Sequence, residues 1–142
     1  MSQDNVDVVR RVYVEWGRGN WRPKFDFYSP EMEWGWSDEF PGLHGVYRDP
    51  AERNKRLYEW LSGWENWRAE AEEYVVHGDH VVVLTRYRGR GKGSGAAVDT
   101  KGAHVWTLRD GKVIRLEVSR PGPGRWPRWG CPSNLLSVTY RQ

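Results

Sequence analysis

The stretches HGDHVVVLTRYRGRGKGSG (residues 77–95) and GAHVWTLRDGKVIRLEV (residues 102–118) decide the fold. Both stretches contain runs of β-branched and aromatic residues, which favour β-strands. The turn-forming sequences HGDH, GRGKGSG and RDGK separate the apolar runs, as β-hairpins require. The two stretches therefore predict consecutive antiparallel strands over residues 81–89, 97–108 and 113–118.

Two further strands are predicted upstream. Residues 67–76, directly before HGDH, extend the hairpin pattern by one strand. In EMEWGW (residues 31–36), Met32, Trp34 and Trp36 alternate with glutamate and glycine, which indicates another strand. The segment SDEFPGLHGVY that follows is predicted to be a loop, because proline and glycine interrupt it.

Helical periodicity predicts three helices in the N-terminal half of the chain. The first follows an N-cap at Asp4 or Asn5, and a short second helix covers RPKFDFY, residues 22–28. The third follows Asp49, whose carboxylate can cap it, with Pro50 at the first helical position. The apolar stripes are Val6, Val9, Val12, Tyr13 and Trp16 on the first helix and Leu57, Trp60, Leu61 and Trp64 on the third. Helices followed by hairpin-linked strands predict the α+β class, with the helices on one face of an antiparallel sheet.

Composition limits the class of protein. The chain has 142 residues, one cysteine, four histidines and a net charge of +3. This length fits one domain, and a single cysteine excludes a disulfide within the chain. One cysteine and scattered histidines argue against a zinc site, and we expect neither a metal nor a cofactor. Without a membrane-length apolar run or a signal-peptide core, the sequence predicts a soluble, cytoplasmic protein.

These elements resemble the nuclear-transport-factor-2-like (NTF2-like) superfamily, in its SnoaL-like branch. The resemblance rests on the two hairpin stretches, on SPEMEWGW and on DPAERNKRLYEWLSGWENW, within a single domain over residues 1–118. It implies a cone-shaped fold, in which a curved antiparallel sheet wraps the helices and leaves a deep, apolar pocket. A small apolar ligand and a homodimer through the convex sheet face are also implied. The family's activities include polyketide cyclisation, ketosteroid isomerisation, epoxide hydrolysis, dehydration and binding without catalysis.

The resemblance carries the catalytic residues over only in part. In isomerase-like members a tyrosine and two aspartates act, and the tyrosine position falls at Val12, next to Tyr13. The aspartate positions fall at Trp34 or Trp36 and at His104, so only His104 is a titratable match.

Arg86 matches the arginine of epoxide-hydrolase-like members. Their two aspartate positions fall near Arg88 and Val118, so this set is also incomplete. A guanidinium inside a cavity would bind an anionic or carbonyl group, which keeps Arg86 as a candidate. The alternative is an exposed strand arginine beside Arg88 and Arg90.

His104 is the strongest candidate for acid–base chemistry. It alternates with Trp106 and Leu108 on a predicted central strand, so it should face the interior. A histidine in an apolar cavity holds a tunable proton near neutral pH. The alternative is a core histidine that is hydrogen-bonded to a neighbour. His104, Tyr13 and Arg86 form the predicted catalytic set.

The ten tryptophans predict an aromatic-walled cavity as well as an aromatic core. The predicted substrate-binding residues are Trp16, Trp34, Trp36, Tyr58 and Trp106. Trp34 and Trp106 are preferred, because a buried indole N–H needs an acceptor and a ligand carbonyl can supply one. Asp38 and Glu39, in the predicted loop, are candidates for a general base or simply solvated loop charge.

Three functions follow from these observations. The first is a pocket protein for a small apolar molecule, acting as an isomerase, cyclase or dehydratase in which His104 moves a proton. The second is a non-catalytic ligand-binding or protein-interaction module, which the missing aspartates favour. The third is nucleic-acid binding through RYRGRGKG. Because no other basic stripe accompanies that segment, we expect neither a nucleic-acid nor a membrane partner.

Residues 119–142 depart from the pattern of the family, which ends in a short Ala/Leu-rich helix. They include RPGPGRWPRWGCPSN, residues 120–134. Read in a shifted frame, the codons of residues 125–134 are compatible with LAAVGLSE and a stop. We therefore predict an atypical tail produced by a frameshift, and leave Trp126 and Trp129 out of the pocket.

Overall fold

The computed structural model describes residues 2–21, 25–36, 45–119 and 138–141. The elements are α1 (Ser2–Gly17), β1 (Tyr28–Trp36), β2 (Gly45–Tyr47), α2 (Pro50–Leu61), β3 (Trp64–His77), β4 (His80–Gly91), β5 (Ala97–Arg109), β6 (Lys112–Ser119) and β7 (Val138–Arg141). All five predicted strands are present as β1 and β3 to β6. The short β2 lies in the segment predicted to be a loop, and Asp38 and Glu39 of that segment lie outside the described residues.

The strands form one mixed sheet in the order β2-β1-β6-β5-β4-β3-β7. The strands β3 to β6 pair antiparallel, as the hairpin signals predicted. The sheet departs from the predicted antiparallel arrangement at β1, which runs parallel to β6 with Trp34 opposite Leu116. Side chains alternate between the two faces in either kind of pairing, so periodicity carries no information on strand direction. The α+β class is confirmed.

The helix α2 begins where the sequence predicted. The Asp49 side chain accepts a hydrogen bond from the Ala51 N–H at 3.1 Å, and Pro50 occupies the first helical turn. The helix ends one turn earlier than its predicted stripe, because Ser62 caps it and the chain turns at Gly63. Trp64 is consequently the first residue of β3.

The short helix predicted over residues 22–28 is absent from the described part of that segment. Phe27 lies in a turn and Tyr28 already belongs to β1. The Val113 N–H donates to the Phe27 carbonyl at 2.7 Å, and the Phe25 and Phe27 rings stack with centroids 4.3 Å apart. Pairing with β6 and aromatic packing therefore override the local helical signal. Residues 22–24 lie outside the described residues.

The hydrophobic core lies between α1 and one face of the sheet, which we call the inner face. The buried stripe of α1 comprises Val6, Val9, Val12, Tyr13 and Trp16. The inner face supplies Trp34 from β1 and Trp106 and Leu108 from β5, with His104 in the same alternation. Val82 and Val105 belong to a second, smaller cluster on the opposite, outer face. The predicted alternation along β1 and β5 is thus confirmed.

The predicted tail is described only at its end. Residues 120–137, which include Trp126 and Trp129, lie outside the described residues. The strand β7 pairs antiparallel with the edge of β3, with Val138 opposite Val76. The frameshift stays a prediction. In the part of the chain that is described, no helix is long and apolar enough to cross a membrane.

Candidate functional site

The imidazole of His104 bridges two tyrosine hydroxyls in the core. His104 lies on β5 and is 2% exposed. Its Nδ1 lies 2.5 Å from the hydroxyl of Tyr13 on α1, and its Nε2 lies 2.7 Å from the hydroxyl of Tyr87 on β4. Side chains from α1, β4 and β5 therefore meet at one ring.

Burial keeps the imidazole of His104 uncharged. Loss of solvation lowers the pKa of His104 from 6.5 to about 3. Burial also raises the pKa of Tyr13 well above its usual value of 10. At neutral pH the imidazole and the Tyr13 hydroxyl are therefore both neutral, and each carries one proton that it can donate to a hydrogen bond.

The proton positions follow from the tautomer that we assign to His104. Trp106 Nε1–H donates to the Tyr13 oxygen at 3.0 Å. We assign the tautomer in which Tyr13 donates its proton to Nδ1 of His104, because Nδ1 is the acceptor within reach of that buried hydroxyl, and the imidazole proton is then on Nε2. Nε2–H then donates to the oxygen of Tyr87, whose own proton lies on the side away from the imidazole. The donors form a chain that runs from Trp106 to Tyr87, and donors in such a chain strengthen one another.

Packing holds Tyr87 in place at the end of this chain. Trp67 stacks on Tyr87 with ring centroids 5.6 Å apart and an interplanar angle of 20°. Gly89 lies against the indole ring of Trp67, because a Cβ added at Gly89 would lie 2.7 Å from Cε3 of Trp67. Glycine at this position therefore leaves the space that Trp67 occupies.

A cavity of about 40 Å³ opens beside His104 and Tyr87. Its other lining residues are Trp16, Trp21, Trp34, Trp36, Leu57, Trp60, Trp67, Ala69 and Val118. The residues Trp21, Trp60 and Trp67 are half-buried, so the cavity reaches the surface beside them. A volume of this size holds about three water-sized groups, and a larger ligand would place only its tip inside.

Two lining tryptophans carry indole N–H groups that lack an acceptor. The Nε1 atoms of Trp16 and Trp34 are buried, and neither has a hydrogen-bond partner within the described residues. The two rings lie 6.2 Å apart between centroids, with an interplanar angle of 28°. Each such donor costs about 1–3 kcal/mol unless an acceptor reaches it.

The cavity wall is mostly apolar and aromatic. No carboxylate is among the described residues that line it. In the same part of the chain, no group of three or more histidine, cysteine, aspartate or glutamate side chains could hold a metal ion. The described wall can therefore pack and stack against the apolar surface of a ligand.

The structure brings most of the predicted site residues together. His104, Trp16, Trp34 and Trp36 line the cavity, and Tyr13 lies behind His104. Trp106 is fully buried and lies outside the lining set, and its N–H is taken by Tyr13. Trp106 therefore supports the hydrogen-bond chain, and the indole available to a ligand belongs to other tryptophans.

Two predicted site residues lie away from the cavity. Arg86 is on the outer face of β4, where its Nε and Nη2 each lie 2.7 Å from a carboxylate oxygen of Asp99. Alternation that brings Tyr87 to the inner face turns Arg86 outward. Tyr58 lies on the exposed side of α2 and is 39% accessible. We therefore exclude Arg86 and Tyr58 from the candidate site.

Sequence reasoning missed Tyr87, Trp67 and Trp21. Tyr87 shares strand alternation with Val81, Val83 and Thr85, which is a signal for an inner-face position. Its arginine and glycine neighbours in RYRGRGKG drew attention to charge instead. No local signal identifies Trp67 or Trp21 as cavity residues, because their position depends on packing against other segments.

Comparison with known proteins agrees with the fold. A family profile described as SnoaL-like domain matches residues 9–116. An NTF2-like protein from Burkholderia thailandensis E264 has 24% identity and a TM-score of 0.72, covering 80% of this chain and 88% of that one. An NTF2-like protein of unknown function from Burkholderia pseudomallei K96243 has 22% identity and a TM-score of 0.73, covering 82% and 90%. TerC, co-crystallised with polyporic acid, has 23% identity and a TM-score of 0.71, covering 81% and 89%. No curated protein matches the chain.

Proposed function

The chain belongs to the SnoaL-like domain family, and we propose that it binds a small, largely apolar molecule in the aromatic cavity and carries out acid–base chemistry on it. One observation carries this proposal. The imidazole of His104 bridges Tyr13 and Tyr87 at the cavity wall. Isomerisation, cyclisation and dehydration are the reaction classes that such a site serves.

The hydrogen-bond chain stabilises negative charge on the ligand. As a carbonyl loses its α-proton to a water molecule and becomes an enolate, its oxygen gains charge, and the Tyr87 hydroxyl at the cavity wall stabilises that charge as a hydrogen-bond donor. The Nε2–H of His104 strengthens this donor, and Tyr13 and Trp106 strengthen His104 in turn. Since the pKa of His104 is about 3, the imidazole acts as a neutral relay throughout.

A β,γ-unsaturated ketone tests this chemistry. We expect the protein to accelerate conversion of 3-cyclohexenone to 2-cyclohexenone, followed by the absorbance of the conjugated product. Tyr87→Phe should lower that rate about tenfold to hundredfold, because the terminal donor is lost. Arg86→Gln, on the outer face, is the matched control and should leave the rate unchanged. A protein that neither binds the ketone nor changes its rate would refute the proposal.

Binding without turnover is the second candidate function. The small cavity and the lack of a carboxylate among its described lining residues favour it. Binding of 3-cyclohexenone at the cavity with no acceleration would support this alternative. TerC, a protein of similar fold, was co-crystallised with polyporic acid.

A homodimer through the outer face is part of the proposal. Leu84 is half-buried on that face, and it packs against Val75, Val82 and Val105, which are buried within the chain. Ion pairs such as Arg86–Asp99 and Lys101–Glu72 lie on neighbouring strands. Leu84→Glu should reduce the mass measured by light scattering from two chains to one. A native protein that already has the mass of one chain would rule the dimer out.

A further inference from the structure

A groove of about 440 Å³ lies between α1 and β3, next to the aromatic cavity. We infer that this groove is a second ligand site, and that it binds a small molecule with an apolar body and one carboxylate, which Arg10 receives. A volume of this size is in the range of small-molecule sites. The described residues that line the groove are Arg10, Tyr13, Val14, Gly17, Ala69, Glu70, Ala71 and Tyr74.

One face of α1 forms the first wall of the groove. Arg10, Tyr13, Val14 and Gly17 follow one another at helical spacing, which puts them on one side of the helix. Val14 is 52% exposed, so the groove is open to solvent along this wall. Nothing lies within 4 Å of a Cβ added at Gly17, so the last turn of the helix leaves space for a ligand.

The strand β3 forms the second wall, which is apolar on the side of the core. Ala69, Ala71 and Tyr74 are buried there and belong to the hydrophobic core. The two alanines carry the smallest apolar side chains, and they leave room between the strand and the helix. An apolar ligand body that covers Val14 and the alanines would remove apolar surface from water, which favours binding.

Arg10 and Glu70 are the charged residues among those that line the groove, and their charges lie on different sides of the sheet. Glu70 alternates with Ala69 and Ala71, which sends its side chain to the outer face. Its carboxylate lies there 3.3 Å from Nε of Arg88. The charge that a ligand meets from the inner side is therefore the positive charge of Arg10.

The guanidinium of Arg10 is held at the wall of the groove. Its Cζ lies 5.0 Å from the ring centroid of Tyr74, which lines the same groove. Burial raises the pKa of Tyr74 to about 12, so the phenol is neutral at pH 7 and does not compensate the charge of Arg10. An anionic ligand is therefore complementary to this wall, and a cation would be repelled.

The contact of Arg10 with Asp7 is compatible with such a ligand. Nη1 of Arg10 lies 3.9 Å from a carboxylate oxygen of Asp7, and the side chain of Asp7 is 59% exposed. An exposed ion pair of this length contributes little free energy, and a guanidinium has five N–H donors. Arg10 can therefore bind the planar carboxylate of a ligand in addition to Asp7 or in its place.

The groove and the aromatic cavity are neighbours with different lining residues. Ala69 lines both, and Tyr13 of the groove contacts His104 of the cavity. The groove has Arg10 and Val14, whereas the cavity has Trp21 and other tryptophans. The position of a bound ligand can therefore be identified from the signals that it shifts.

Two ligands of nearly equal shape test the inference. 2-Naphthoate and 2-naphthamide share the same apolar body, and only the first carries a charge at pH 7. Both are titrated into ¹⁵N-labelled protein, with affinities from calorimetry and positions from NMR. We expect 2-naphthoate to bind at least threefold more tightly than 2-naphthamide. It should shift the backbone N–H signals of Val14 and Gly17 and leave the indole signal of Trp21 in place.

A pair of arginine variants separates the groove from the general positive charge of the protein. Arg10→Gln should weaken 2-naphthoate binding roughly threefold to tenfold and leave 2-naphthamide unchanged, because the ion pair with the ligand is lost. Arg11→Gln is the matched control, since it removes the same charge from the next position of α1. The guanidinium of Arg11 lies over the ring of Phe27, with Cζ 5.1 Å from the centroid, and Arg11 is not among the described lining residues. This variant should bind both ligands as the native protein does.

A second variant tests the groove without changing Arg10. Val14→Glu places a carboxylate on the exposed side of the groove, where folding should not suffer. It should weaken 2-naphthoate binding more than 2-naphthamide binding, because like charges repel.

Four outcomes would overturn the inference. They are equal affinity of the native protein for the two ligands, equal loss of 2-naphthoate binding in Arg10→Gln and Arg11→Gln, shifts at the Trp21 indole in place of Val14, and no binding at all. None of them bears on the proposed function, which the conversion of 3-cyclohexenone tests separately. If Arg10→Gln does not fold, the ligand pair on the native protein and on Val14→Glu still decides the question.

Discussion

The hydroxyl of Tyr13 lies 2.5 Å from Nδ1 of His104, although 91 positions separate the two residues. This contact joins α1 to the middle of β5, and with Tyr13 as its donor the imidazole proton is on Nε2. The bond therefore stabilises the core, and it also connects the Trp106 N–H, through Tyr13, to the imidazole at the cavity wall.

Removing the Tyr13 hydroxyl should destabilise the fold. Tyr13→Phe leaves both Trp106 Nε1 and His104 Nδ1 without their partner in the core, at a cost of about 2–4 kcal/mol in unfolding free energy. Tyr28→Phe is the control, because the Tyr28 hydroxyl is buried without a hydrogen-bond partner in the described chain. Its loss should cost less than about 0.5 kcal/mol. Urea denaturation measures both values, and equal losses would contradict the network.

The stability of the protein should fall with acid because of His104. The folded pKa is about 3 and the unfolded one 6.5, so below pH 6.5 the unfolded chain binds a proton that the folded chain does not. Between pH 6.5 and pH 5 this lowers the unfolding free energy by about 2 kcal/mol. His104→Gln has no such proton, so its stability should vary less over this range. Parallel pH curves for the two proteins would show that His104 is not held neutral.

Gly89 should be sensitive to the addition of a single methyl group. A Cβ at this position would lie 2.7 Å from the Trp67 ring, so Gly89→Ala should displace Trp67 and cost about 1–3 kcal/mol. Gly93→Ala is the control, since nothing lies within 4 Å of a Cβ there. Because Trp67 stacks on Tyr87, Tyr87→Phe should cost less in the Gly89→Ala background than alone. Additive losses would mean that Trp67 does not position Tyr87.

Breaking the ion pair of Arg86 with Asp99 should not affect ligand binding in the cavity. Both side chains are on the surface, where solvent and salt screen the pair. Arg86→Gln should therefore raise the pKa of Asp99, which the arginine holds below its usual value, without altering ligand binding. The Asp99 pKa is followed by NMR titration, and binding by fluorescence. Loss of binding in this variant would restore Arg86 as a site residue.

Local patterns predicted most of the fold. Alternation along β5 and β1 correctly assigned His104 and Trp34 to the interior, because strand geometry alone sends every second side chain to one face. The cap at Asp49 was predictable for a similar reason, since a carboxylate reaches the first N–H groups of its own helix. The prediction of a helix over residues 22–28 was wrong in its described part, because the Val113 N–H of β6 binds the Phe27 carbonyl. A tertiary contact of this kind is not visible in the local sequence.

The candidate site, like the fold, was predicted in part from local sequence patterns and depended in part on tertiary contacts. The sequence by itself determined which side chains face the interior and that His104 was among them. Only the tertiary structure decided that Trp106 donates to Tyr13, that Tyr87 joins His104, and that the indoles of Trp16 and Trp34 keep unsatisfied donors. Periodicity is a property of one segment, whereas the pairing of a donor with an acceptor depends on how distant segments approach each other within hydrogen-bond distance.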